Sequence, residues 1–129
     1  MAVSEQYTQF TEQIIGAAMR VHTQLGPGLL ESAYEACLAF ELTSSGLAVE
    51  RQKPLPVVYR DVQLDCGYRL DLVVQDAVVV EIKSVDSLIP IHTAQILSYP
   101  KLSGYHVGLL INFNVLHPRS GIKRILHDI

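Results

Sequence analysis

Between Tyr68 and Lys83 the chain reads Tyr-Arg-Leu-Asp-Leu-Val-Val-Gln-Asp-Ala-Val-Val-Val-Glu-Ile-Lys, and three of these side chains can do chemistry: Asp71, Glu81 and Lys83. They sit inside two apolar, β-branched runs, Leu70–Val74 and Val78–Ile82, which flank a short turn at Gln75-Asp76-Ala77. That pattern predicts a β-hairpin. Side chains alternate faces along a strand, so Glu81 and Lys83 point one way and Ile82 the other. With a three-residue loop, Asp71 falls opposite Glu81, their Cα atoms ~4.5–5.5 Å apart. Like charges placed so destabilise a sheet unless a cation or partner intervenes. An ordinary cross-strand salt bridge with Lys83 is one reading of this face. A metal site is the other, because charges within apolar runs normally require a partner or a metal.

The elements that must position this hairpin follow from periodicity. Ile14, Ala18, Val21 and Leu25 form one apolar stripe, which predicts a helix from about Thr11 to Leu25, stopped by Gly26-Pro27-Gly28. A second helix is expected from Leu29 to about Thr43, with Leu30, Tyr34, Cys37, Leu38 and Leu42 on its apolar face. Glu31 lies within about 20° of Leu38 around that axis, and Glu41 lies nearer the centre of the stripe, so periodicity alone does not single out Glu31. Leu55–Tyr59 and Val62–Asp65 read as strands around a tight Arg60-Asp61 turn. Pro54 and Pro56 put the first of them at an edge, and Gly67 suggests a bulge. A third helix is expected over Ile91 to Ser103, closed by Gly104, with His92, Gln95 and Tyr99 as a polar stripe. Pro100 should kink or end that helix and re-aim Tyr99. His106–Phe113 reads as a buried strand and Ile122–Leu126 as a final edge strand. With no repeat, linker or low-complexity segment, residues 1–129 make one α/β domain, a mixed sheet flanked by helices.

Composition narrows the function classes. A hydrophobic fraction of 49% in 129 residues supports one well-packed core and argues against disorder. No apolar run approaches the ~18–20 residues of a membrane span, and the first residues lack a secretory pattern. Cys37 and Cys66 stand far apart without metal-ligand spacing, and His22, His106, His117 and His127 form no cluster, which disfavours zinc. Reduced thiols and a cytoplasmic location are the expectation. The net charge of −3 works against general nucleic-acid affinity, so any such contact must be local or depend on bound divalent ions.

Asp71, a gap, and Glu81-Ile82-Lys83 resemble the Asp…Glu-x-Lys signature of the PD-(D/E)xK nuclease superfamily. Gln95-Ile96-Leu97-Ser98-Tyr99 resembles the Gln-x-x-x-Tyr motif of its RecB-like branch, and Gly28-Leu29-Leu30-Glu31-Ser32-Ala33-Tyr34 matches the motif that names the GxxExxY proteins. The resemblance runs from about Ile14 to Leu126. It implies a restriction-endonuclease-like core and hydrolysis of phosphodiesters in DNA, with RNA the lesser alternative. It also implies Mg²⁺ or Mn²⁺ held by Asp71, Glu81, Glu31 and the Ile82 carbonyl, and Lys83 assisting the attacking water. Gln95 would join the catalytic set, and Tyr99, Tyr34 and His92 would position substrate. Tyr34 also reads as a packed aromatic with a hydrogen-bonded hydroxyl, and His92 as a helix-start residue. Two rivals stand beside the enzyme: a silent nuclease-like module that binds nucleic acid or a protein, and a subunit that pairs through the Ile122–Leu126 edge, as in a homodimer.

Overall fold

The computed structural model describes the backbone of residues 3–126 and the side chains of residues 7–96 and 104–126. The element order is α1 (Val3–Leu25), α2 (Glu31–Ser44), β1 (Val49–Pro54), β2 (Val57–Tyr59), β3 (Val62–Leu64), β4 (Arg69–Val74), β5 (Val78–Lys83), α3 (Pro90–Ser103), β6 (Val107–Asn112) and β7 (Ile122–Leu126). A 3₁₀ turn, Pro118–Gly121, precedes β7. Five strands form one sheet in the order β1-β4-β5-β6-β7, and β2-β3 is a separate hairpin. All neighbours in the main sheet are antiparallel except β5 and β6. That parallel pair needs a crossover, and α3 supplies it. This is the mixed sheet with flanking helices expected of a restriction-endonuclease-like fold.

Both faces of the sheet are covered, as a parallel pair at its centre requires. Leu72, Val74, Val78, Val80, Ile82, Leu109 and Ile111 pack beneath α1 and α2, against Ile14, Ala18, Val21, Tyr34, Leu38 and Leu42. On the other face, Ile96 of α3 packs with Leu110 and Ile125. Gly108 makes this approach feasible, because a Cβ there would stand 3.0 Å from the Ile96 side chain. The β4–β5 turn has Gln75 and Asp76 at φ 56° and 48°, closed by the Ala77 N–H donating to the Val74 carbonyl at 3.0 Å. Two positive φ values match the right-handed twist of the flanking strands. The Tyr105 hydroxyl accepts from Lys53 Nζ at 2.7 Å and donates to Asp76, which pins this turn to β1.

Several expectations are corrected. Helix α1 begins at Val3, well before Thr11, and Pro100 does not end α3, which runs to Ser103 as the sequence predicts. Leu30 is 77% exposed at the mouth of α2. Sequence reading had no strand at Val49–Pro54, because this segment carries charges at Glu50, Arg51 and Lys53 and shows no apolar alternation. It is a strand through its backbone ladder to β4, with Val49 opposite Val74 and Pro54 opposite Arg69. The predicted bulge at Gly67 is a connection outside the strands, where the Gly67 N–H donates to Asp65 Oδ1 at 3.0 Å. Ile122–Leu126 is the edge strand expected.

Candidate functional site

The register of the central hairpin places Asp71 level with Glu81, but regular pairing stops one step earlier, at Leu72↔Val80. Beyond that step the side chains take over from the ladder. The Asp71 N–H donates to Glu81 Oε1 at 3.1 Å, and the Ile82 N–H donates to Asp71 Oδ2 at 2.8 Å. The strand also rolls here. Leu70 packs with Val73, Val79 and Leu55, whereas Leu72 packs beneath α1 and α2, so alternation is broken across Asp71. On the neighbouring strand, Gln52 at φ 52° lies in the left-handed region that a side chain rarely occupies.

Glu81 is buried, and its neighbour in register on β6 is Leu110, on the α3 side. Burial disfavours its charged form, and the nearby Asp71 carboxylate adds to this, while the amide of Asp71 and the charge of Lys83 work against the shift. The balance raises Glu81 to about 8. Two acidic side chains are thus held together with incomplete charge compensation. The donor set is hard oxygen, and a divalent cation would relieve the cost that pushes Glu81 upward. Asp71 and Glu81 therefore fit a Mg²⁺- or Mn²⁺-type ion. Among the described residues, no group of three or more His, Cys, Asp and Glu side chains is arranged to hold a metal; the acidic core of the site is a pair.

Lys83 is half-buried at the end of β5, two residues after Glu81 and level with Asn112 of β6. Asn112 fixes this end of the sheet. Its Oδ1 accepts from the N–H groups of Val85 and Asn114 at 3.1 and 3.2 Å, and its Nδ2 donates to the Val85 carbonyl at 2.9 Å. The Phe113 N–H donates to the Lys83 carbonyl at 3.0 Å. The loop before α2 docks at the same end, where Ser84 Oγ donates to the Leu29 carbonyl at 2.6 Å.

The remaining predicted residues fall in different places. Glu31 is exposed in the first turn of α2, and the structure brings it into no bond with Asp71 or Glu81. Tyr34 is the packed aromatic that the sequence also allows, and not a substrate-positioning residue at the surface: it is fully buried and stacked on Phe113 with ring centroids 4.5 Å apart. Its hydroxyl donates to the Gly26 carbonyl at 2.5 Å and accepts from the Leu29 N–H at 3.1 Å. It therefore braces the Gly26–Leu30 loop that leads into α2 and Glu31. His92 Nδ1 accepts from the Ile89 N–H at 3.2 Å, the helix-start role that sequence reading also allowed. Gln95 is exposed on α3, and the side chain of Tyr99 lies outside the described residues, as does His127.

Sequence reasoning missed Glu35, Arg51 and Gln52. Glu35 is 7% exposed; Arg51 reaches its Oε2 through two nitrogens at 3.1 and 3.3 Å, and Gln52 Nε2 donates to its Oε1 at 2.5 Å. The same Gln52 nitrogen stands 3.4 Å from Asp71 Oδ1. A signal for Glu35 was present: it precedes Leu38 by three positions and Leu42 by seven, which puts it on the buried stripe.

Neither the curated proteins nor the solved structures contain a match to this chain. A family model for the PD-(D/E)XK nuclease superfamily matches residues 8–125, a span that includes most of α1, all of α2 and the strands that carry Asp71, Glu81 and Lys83. By its hairpin site, its mixed sheet and this match, the chain belongs to the PD-(D/E)XK nuclease superfamily.

Proposed function

We propose that the protein is a divalent-metal-dependent nuclease that hydrolyses phosphodiester bonds in DNA, from the RecB-like branch of its superfamily and the GxxExxY group within it. The observation that carries this reading is the Asp71–Glu81 pair, two carboxylates locked at one level of a hairpin with Glu81 raised to about 8. Asp71 and Glu81 would hold Mg²⁺ or Mn²⁺, and the Ile82 carbonyl and Glu31 are the further groups that would contribute to it. The ion, when bound, supplies Lewis-acid stabilisation of the phosphate. Lys83, at the end of β5, orients or deprotonates the attacking water, or neutralises charge growing on the phosphate. Gln95, on the exposed side of α3, borders the substrate, with Tyr99 one turn further on. Superfamily membership supports contact with nucleic acid, while the net charge of −3 makes that contact dependent on the ion.

The test is cleavage of single- and double-stranded DNA, and of RNA, by purified protein with Mg²⁺ or Mn²⁺. Activity above the level of Asp71→Ala and Lys83→Ala supports the proposal, and activity equal to theirs sinks it. The acidic core being a pair favours one rival, a nuclease-like module that binds nucleic acid without cutting. Salt-dependent binding with no cleavage under either metal would favour that rival.

A further inference from the structure

Gln52 is a strand residue in a conformation that strands do not use. At φ 52° it pays a steric cost that only glycine escapes, and such strain persists where surrounding structure holds it in place. What holds it is its side-chain amide, which faces two carboxylates: Glu35 Oε1 at 2.5 Å and Asp71 Oδ1 at 3.4 Å. Both neighbours only accept hydrogen bonds when ionised, so the NH₂ group faces them, and its two hydrogens match two acceptors. Glu35 is not a spare metal ligand. One of its oxygens takes both contacts from Arg51 and the other takes Gln52, so it is buried and already occupied. It is an anchor.

We infer that Gln52 is a positioning residue of the Asp71–Glu81 site: anchored on the Glu35–Arg51 pair, its amide restrains the Asp71 carboxylate from the β1 side while the Ile82 N–H restrains it from the β5 side. This inference rests on the reading of Asp71 and Glu81 as the metal-holding pair. The Ile82 N–H holds one Asp71 oxygen and the Gln52 amide faces the other, so the carboxylate is limited about both side-chain torsions, and a ligand so restrained loses less freedom when an ion binds. Groups that orient metal ligands in this way typically govern affinity by 10–100-fold.

Gln52→Gly separates this role from a structural one, because glycine accepts φ 52° without strain while the amide is lost. Mn²⁺ binding is measured by titration calorimetry on wild type, Gln52→Gly and Asp71→Asn, with thermal unfolding of each apoprotein alongside. The expected result is Gln52→Gly still folded and unfolding cooperatively, the relief of backbone strain offset by the partner lost from Glu35 Oε1, but binding Mn²⁺ roughly tenfold or more weakly. The Mg²⁺-induced shift of the Gln52 side-chain NH₂ resonances in the wild-type NMR spectrum gives a second readout. Wild-type affinity in a folded Gln52→Gly protein overturns the inference while leaving the metal site intact. Failure of wild type to bind Mn²⁺ more tightly than Asp71→Asn overturns the metal reading itself, and this inference with it.

Discussion

Replacing Glu81 with glutamine should change how stability depends on pH, in a direction set by the buried pair. Folding raises Glu81 from 4.5 to about 8, so between those values the folded chain holds a proton that the unfolded chain has released. Stability falls with rising pH wherever the folded state binds more protons. Glu81 therefore costs nothing below pH 4.5, costs progressively more through neutral pH, and reaches its full cost above pH 8. At ~1.4 kcal/mol per pH unit, the whole rise corresponds to on the order of 5 kcal/mol. A domain of this size commonly has only about 5–15 kcal/mol in total, so the effect is large enough to measure. Glutamine has nearly the same shape and does not titrate. Urea unfolding followed by far-UV circular dichroism suits a chain without tryptophan, and should be run from pH 5 to pH 9 without divalent ions. Glu81→Gln should match wild type near pH 5 and exceed it by several kcal/mol at pH 9. Asp71→Asn should flatten the wild-type slope by removing the second cause of the shift. Millimolar Mn²⁺ should stabilise wild type most at high pH, where the carboxylate form is already favoured, and should stabilise Glu81→Gln far less. Parallel stability–pH curves for wild type and Glu81→Gln would refute the reasoning.

Lys83→Ala should leave Mn²⁺ binding and Tm close to wild type while lowering cleavage by about 10²–10⁴-fold, the usual range for a lost proton-transfer group; unchanged single-turnover rates would remove Lys83 from the chemistry. Tyr34→Phe strips the partner from the Gly26 carbonyl and the Leu29 N–H and should cost about 1–3 kcal/mol, read as a lower urea midpoint and faster hydrogen exchange at Leu29. Gly121→Ala puts a Cβ 2.1 Å from the Asn112 carbonyl oxygen, so backbone must move, and a loss of about 3 kcal/mol or more is expected; an unchanged Tm would contradict that packing.

The hairpin and the level at which it sets its two carboxylates were legible because both depend on local rules. Alternation and a turn signal suffice to put Asp71 level with Glu81, and the same counting finds α3, β6 and β7. Counting failed where the deciding interaction was distant in sequence. Strand β1 exists because β4 offers it a backbone ladder, which leaves no mark on the side chains of Glu50, Arg51 and Lys53. Pro100 sits within a helix that a local rule could end there, yet the helix runs on to Ser103.

The sequence by itself determined the fold class, the acid pair, the lysine beside it and the superfamily motif, since these follow from residue type and short-range spacing. Tertiary structure alone decided which other side chains reach the pair. It turned Tyr34 from a candidate contact into a buried brace for the Gly26–Leu30 loop, and left Glu31 on the exposed rim. It also brought Glu35, Arg51 and Gln52, from 19 to 36 positions before Asp71, onto the site's flank. The physical reason is that such a contact depends on where α2 docks beside β1 and on one left-handed torsion at Gln52, and neither is written in the spacing of the residues involved.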